Sequence, residues 1–163
     1  MTNRSPQHIL CAVRGRPRSR DTATQAINLA LETGARLTFF LVINAEFMSQ
    51  AAPTMGSLRA VYKQLEEMGE FAMLILCDRA ERRGVTQVDS IIQKGNVREE
   101  LLKVVADTDS GVLIMGKPSG QSDRDEFTLA EFADFIAELE KTAGLQVVQV
   151  AYTEPDNSAA ARG

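Results

Sequence analysis

The chain has 163 residues, of which 44% are apolar and 25% charged, with a formal net charge of −4. That balance suits one globular domain able to bury about two thirds of the surface its unfolded chain exposes. An acidic chain has no general affinity for nucleic acid or anionic membrane, so any anion site must be local, and no run reaches the roughly 20 apolar residues that span a bilayer.

Met1 to His8 lack the apolar core of a signal peptide, which makes the cytoplasm the expected location. Ile9 to Val13 is a short continuous apolar run, the mark of a strand covered on both faces by helices. An arginine-rich loop follows. From Asp21, the apolar positions Ala23, Ala26, Ile27, Ala30 and Leu31 recur at helical spacing, and Gly34 stops that helix. Leu37 to Ile43 is a second inner strand, rich in aromatic and β-branched residues. Asn44 to Gly56 keeps no period and contains Pro53, so it reads as a long loop whose Met48 and Met55 cap the core or touch a ligand.

Leu58, Val61, Leu65, Met68, Ala72, Leu76 and Ala80 trace the buried stripe of a long helix that ends at Arg82-Arg83-Gly84. Val85 to Ile92 mixes polar and apolar residues, as a less buried strand near a sheet edge does. Asn96 with Glu99 forms a capping box for a helix burying Val97, Leu101, Val104 and Val105, and Asp107 and Asp109 satisfy a turn at its end. Gly111 to Met115 is the fourth strand, running into a glycine loop at Gly116 to Gly120. Thr128 and Glu131 cap a helix carrying Leu129, Phe132, Ile136 and Leu139, which Gly144 ends. Leu145 to Tyr152 is the last strand, and residues 154–163 read as a disordered polar tail. Cys11 and Cys77 both fall in apolar patterns and are expected to be buried free thiols.

Five strands alternating with four helices predict a single α/β domain over residues 1–153, an open parallel sheet with helices on both faces. The last strand carries no charge. Such an edge invites pairing with another chain, so a homodimer through Val147, Val148, Val150 and Tyr152 is expected.

The order of these elements, the Gly95-Asn96-Val97 turn and Val112-Leu113-Ile114-Met115-Gly116 together resemble the universal stress protein family over about residues 7–152. The resemblance implies an adenine nucleotide alpha hydrolase-like fold with strand order 3-2-1-4-5 and dimers through the fifth strand. It also implies ATP or AMP in a crevice beside the first and fourth strands, held by an acid after strand one and a glycine loop after strand four. That crevice would be lined by Val13, Arg14, Gly15, Arg16, Val42, Gly116, Lys117 and Gly120. This chain departs from the family pattern in two places. Arg14 stands where the acid is usual, and the loop's second half, nine residues and then a glycine followed by Ser or Thr, is missing; Asp123, Asp125 and Glu126 bring negative charge instead. A phosphate cradle needs close backbone approach, which glycine permits, so the reading favours a degenerate site over ATP capture.

Arg14-Gly15-Arg16-Pro17-Arg18-Ser19-Arg20 sits directly after strand one. Two readings stand: a phosphate-binding loop beside a helix N-terminus, or solvated arginines paired with surface acids. Arg14-Gly15-Arg16-Pro17 also resembles an AT-hook core, but its place between packed elements of an acidic chain argues against DNA. His8 is the only histidine, and no GxxxxGK[ST], CxxC or HExxH spacing occurs, so common catalytic and metal schemes lack their residues. The expected function is a noncatalytic, dimeric stress-response domain acting through a signalling partner, with no certain cofactor. The alternatives are an ATP- or AMP-binding switch and, below it, a slow ATPase.

Overall fold

A computed structural model describes residues 6–14, 19–44, 55–117 and 129–151. In chain order they form β1 (His8–Val13), α1 (Ser19–Thr33), β2 (Arg36–Asn44), α2 (Met55–Arg83), β3 (Val88–Gly95), α3 (Val97–Thr108), β4 (Val112–Gly116), α4 (Leu129–Ala143) and β5 (Gln146–Val150). All pairings are parallel and the sheet order is β3-β2-β1-β4-β5, as expected.

Alternation along the strands divides the core in two. Ile9, Cys11 and Val13 of β1 face α1 and α2, packing with Ala26, Ile27 and Met73. Leu10, Phe40 and Leu113 face α3 and α4, packing with Leu101, Phe132 and Phe135. Both faces of β1, β2 and β4 are covered, which is why their sequences read as unbroken apolar runs.

Some expectations need correction. The stripe read along α2 includes Met68, yet that side chain is 61% exposed, while the next residue, Gly69, is buried. A Cβ at Gly69 would lie 2.9 Å from Leu41 Cδ2, so the helix approaches β2 through its smallest residue and turns Met68 outward. The third strand begins at Val88 rather than Val85 and continues to Gly95. Val85 belongs to the end of α2: its N–H donates to the Ala80 carbonyl and that of Gly84 to Glu81, the paired bonds of a Schellman closure. Burying Val85 completes it. Cys11 is buried as expected, with its thiol pushed far up by burial; Cys77 is only half-buried. Burial raises the Cys77 thiol as well, Ser90 opposes that by hydrogen bonding, and Glu81 and Asp89 add to the rise.

Leu31 and Leu129, read on the apolar stripes of α1 and α4, are exposed, while the capping signals hold where they are described. Asn96 Oδ1 accepts from the Glu99 N–H at 3.2 Å, and Asp109 takes the left-handed position that ends α3. Thr128 and residues 154–163 lie outside the described residues.

At the N-terminal edge of the sheet a polar network ties three strands together. His8 Nδ1 meets the Thr108 carbonyl at 3.1 Å, and Nε2 meets Thr38 Oγ1 at 2.7 Å. Thr38 gives its hydroxyl proton to Asp89. The Arg36 guanidinium donates to the other Asp89 oxygen. Partial burial raises the Asp89 carboxyl, but hydrogen bonds from Thr38 and Arg36, with the charges of Arg36 and His8, outweigh it and hold the group below its usual range.

Candidate functional site

From β1 the chain moves outward to β2 and β3, then crosses back to β4 on the other side of β1. In open α/β sheets, ligands bind at the carboxyl ends of the two strands flanking such a reversal. Pairing runs from Ile9↔Val112 to Ala12↔Met115, which carries Val13 alongside Gly116. The two strand tips therefore stand next to each other.

Val13 is buried in the core under α1 and α2, and half-buried Arg14 follows it. Gly116 points to the same side. A Cβ there would lie 3.3 Å from Thr22 Oγ1, so the tip of β4 abuts the first turn of α1 and leaves no room for a larger residue without displacement. Lys117 is exposed, and its backbone N–H donates to the Val150 carbonyl at 2.9 Å. Exposed Arg20 sits on the first turn of α1 together with Asp21. Cations at both tips, with the positive end of α1 between them, make a field that favours an anion. The described cations thus suit a phosphate-bearing group; among the described residues no carboxylate ends β1, and the next acid along the chain is Asp21 on the first turn of α1.

Val42 lies apart from this group. It is one strand over and packs with the core under α3 and α4, on the opposite face from Val13. Gly15, Arg16, Gly120 and Tyr152 lie outside the described residues, as do the loop acids Asp123, Asp125 and Glu126. Among the described residues no three His, Cys, Asp or Glu side chains gather as metal ligands, and no helix is long and apolar enough to cross a membrane.

One site feature escapes the sequence reading. Thr22, buried against Gly116, could have been found as the residue four before Ala26 on the inward stripe of α1. Gly95, at the tip of β3 opposite Asn44, has φ +147, and a Cβ would lie 3.0 Å from Glu100 Oε1. Backbone of that kind belongs to glycine, and it delivers the chain into the Asn96 cap.

β5 occupies one edge of the sheet, with Val147, Val148 and Val150 each partly exposed.

Strand order and switch-point crevice together define an open, parallel, Rossmann-like α/β domain. The sequence profile of the universal stress protein family matches residues 6–139, and the chain belongs to that family. Solved structures share the fold. A universal stress protein family member from Burkholderia pseudomallei superimposes with a TM-score of 0.64 at 18% identity, over 88% of this chain and 95% of its own. An Arabidopsis thaliana family member with AMP bound gives 0.57 at 14% identity, covering 94% and 99%. A universal stress protein in complex with cAMP gives 0.55 at 15% identity, covering 91% and 99%. No curated protein matches the sequence.

Proposed function

We propose that this universal stress protein is a noncatalytic regulatory domain, dimeric through β5, whose crevice between β1 and β4 has moved away from triphosphate capture. The observation that carries this reading is Arg14, a half-buried cation one residue past the Val13–Gly116 level at the tip of β1, in the place where the family resemblance calls for an acid. A guanidinium there cannot accept from ribose hydroxyls, though it suits a compact anion. The candidate nucleophiles and bases stand elsewhere. His8 is bonded at the opposite end of β1, and Cys11 is sealed under α1. The uncharged edge strand supports the dimer, and regulation would pass to a signalling protein bound by that dimer.

A second reading keeps the nucleotide: AMP or a related ligand enters the crevice and orders the loops at residues 44–56 and 117–127. Two relatives that hold AMP and cAMP, together with the close approach preserved at Gly116, favour it.

Thermal unfolding with ATP, AMP and cAMP in turn separates the two. A ligand at a hundred times its Kd adds about 2.7 kcal/mol, or about 5–11 °C for a chain of this size. No shift with millimolar ATP and no hydrolysis product is the result expected. An ATP shift of that size, abolished by Gly116→Val, would replace the first reading with the second, and ATP turnover would overturn both. A monomer that persists at high concentration would remove the dimer from either.

A further inference from the structure

α2 is 29 residues long, about 43 Å of helix, and it has two apolar faces rather than one. Gly69, Met73 and Ala80 are buried toward the sheet. On the opposite side Met68 is 61% exposed, Phe71 67%, Leu74 68% and Ile75 52%. Steps of three, four and seven residues put these side chains on one outward face. Six large apolar side chains are exposed among the described residues; four of them fall in this span of two turns. Scattered exposed apolar residues are ordinary, but a contiguous cluster marks an interaction surface.

We infer that this face of α2 is a self-association surface at which a second copy of the chain packs antiparallel. The argument for that occupant begins with charge. Exposed Glu67 lies on the N-terminal side of the cluster and exposed Glu70 within it, and exposed Arg82, which pairs with Asp78 of its own helix at 2.8 Å, lies on its C-terminal side. A parallel pair would set Glu67 and Glu70 against themselves. An antiparallel pair with its two-fold axis level with Met73 puts Phe71 against Ile75 of the partner subunit and brings Glu67 within reach of the partner's Arg82. Antiparallel helix dipoles add a favourable term. An anionic lipid surface is the wrong occupant, because Glu67 and Glu70 would be repelled by it.

Area points the same way. Large apolar side chains each have about 150–250 Å² to bury, so four that are half to two-thirds exposed supply about 400 Å² per copy. Two copies reach about 800 Å², and the polar residues flanking the cluster bring the total toward the roughly 1,200 Å² at which stable interfaces begin. This surface is separate from β5, so the two contacts together would build a tetramer.

The test is mass by light scattering and sedimentation on the full chain, up to about 200 µM so that weak association is included. Phe71→Glu should halve the mass of the largest species, from tetramer to dimer if β5 also pairs and from dimer to monomer if it does not. Residue 71 is exposed, so an unchanged circular dichroism melt shows that the variant still folds. Val148→Lys, at the β5 edge, reports on the other contact and keeps the two failures distinct. Glu67→Arg and Arg82→Glu should each weaken association, and the double variant should restore it, which no foreign partner or nonspecific stickiness would do. Equal masses for the wild type and Phe71→Glu across the whole range would overturn the inference. So would an Arg82→Glu defect that Glu67→Arg fails to rescue, or sedimentation of the wild type, but not of Phe71→Glu, with phosphatidylserine vesicles.

Discussion

The two ends of the sheet do different work. At the N-terminal edge the helix-to-strand connections are short: residues 34–35, 84–87, 109–111 and 144–145. His8, Thr38, Asp89 and Arg36 close that edge with mutual hydrogen bonds. At the C-terminal edge the connections include residues 14–18, 45–54 and 117–128; β3 and β4 end in glycine, and β1 and β4 are followed by cations. A parallel sheet imposes this division, since every strand ends on the same side and helix N-termini gather there. Stability can be concentrated at one edge while the other diverges. Arg14 follows β1 directly, and β1 keeps its pairing with both neighbours up to that point.

That contrast can be broken at its strong end first. Thr38→Val removes a buried hydroxyl while nearly keeping its shape, leaving His8 and Asp89 without their shared partner. Chemical denaturation should show a loss of about 2 kcal/mol, seen as about 4–8 °C in thermal unfolding. A loss below a few tenths of that would mean the N-terminal network is ornamental. Next in size, Gly95→Ala forces a Cβ into a left-handed position against Glu100, with a cost of about 1 kcal/mol and faster amide exchange at the start of α3. Unchanged exchange there would show that the turn has slack.

Gly116→Ala sharpens the comparison from the other side. Its Cβ meets only the hydroxyl of Thr22, so stability should move by less than about 1 kcal/mol, while any ligand-induced thermal shift should shrink. The reverse pattern would make Gly116 a packing residue. The smallest effect is that of Asp89. Its carboxyl is lowered in the folded state, so its contribution is fully present above the unfolded carboxylate value and is lost as pH falls through the folded one. The group is 40% exposed, so solvent screening keeps the effect under about 1 kcal/mol. Urea titrations from neutral pH down to pH 3 should give Asp89→Asn a shallower acid limb than the wild type. Parallel limbs would remove Asp89 from the account.

How much of this was legible in the sequence differs by element. β1, β2 and β4 could be read because burial on both faces leaves no polar position to mislead the eye. Asn96 and the terminal glycines could be read because capping is local chemistry. Most of the α2 stripe could be read too, but Met68 could not, since apolar residues lie on two of that helix's faces and size suggests the wrong one. Only the approach of Leu41 reveals that Gly69 is the contact, and that is a distance across the chain. Val85 misled for a similar reason: an apolar residue before a strand can belong to the closure of the preceding helix. At the site, the meeting of Gly116 with the β1 tip followed from strand order, whereas Thr22 needed coordinates.

The bond from Lys117 to Val150 has a consequence for anything that enters between the strands. Its amide hydrogen is already turned sideways into the sheet, away from the space above Gly116. Of the two groups Lys117 could lend to an incoming oxyanion, only the ammonium at the end of a long tether remains. Main-chain donors must come from other residues, the first turn of α1 among them, so the last rung between β4 and β5 closes off one side of any anion nest here.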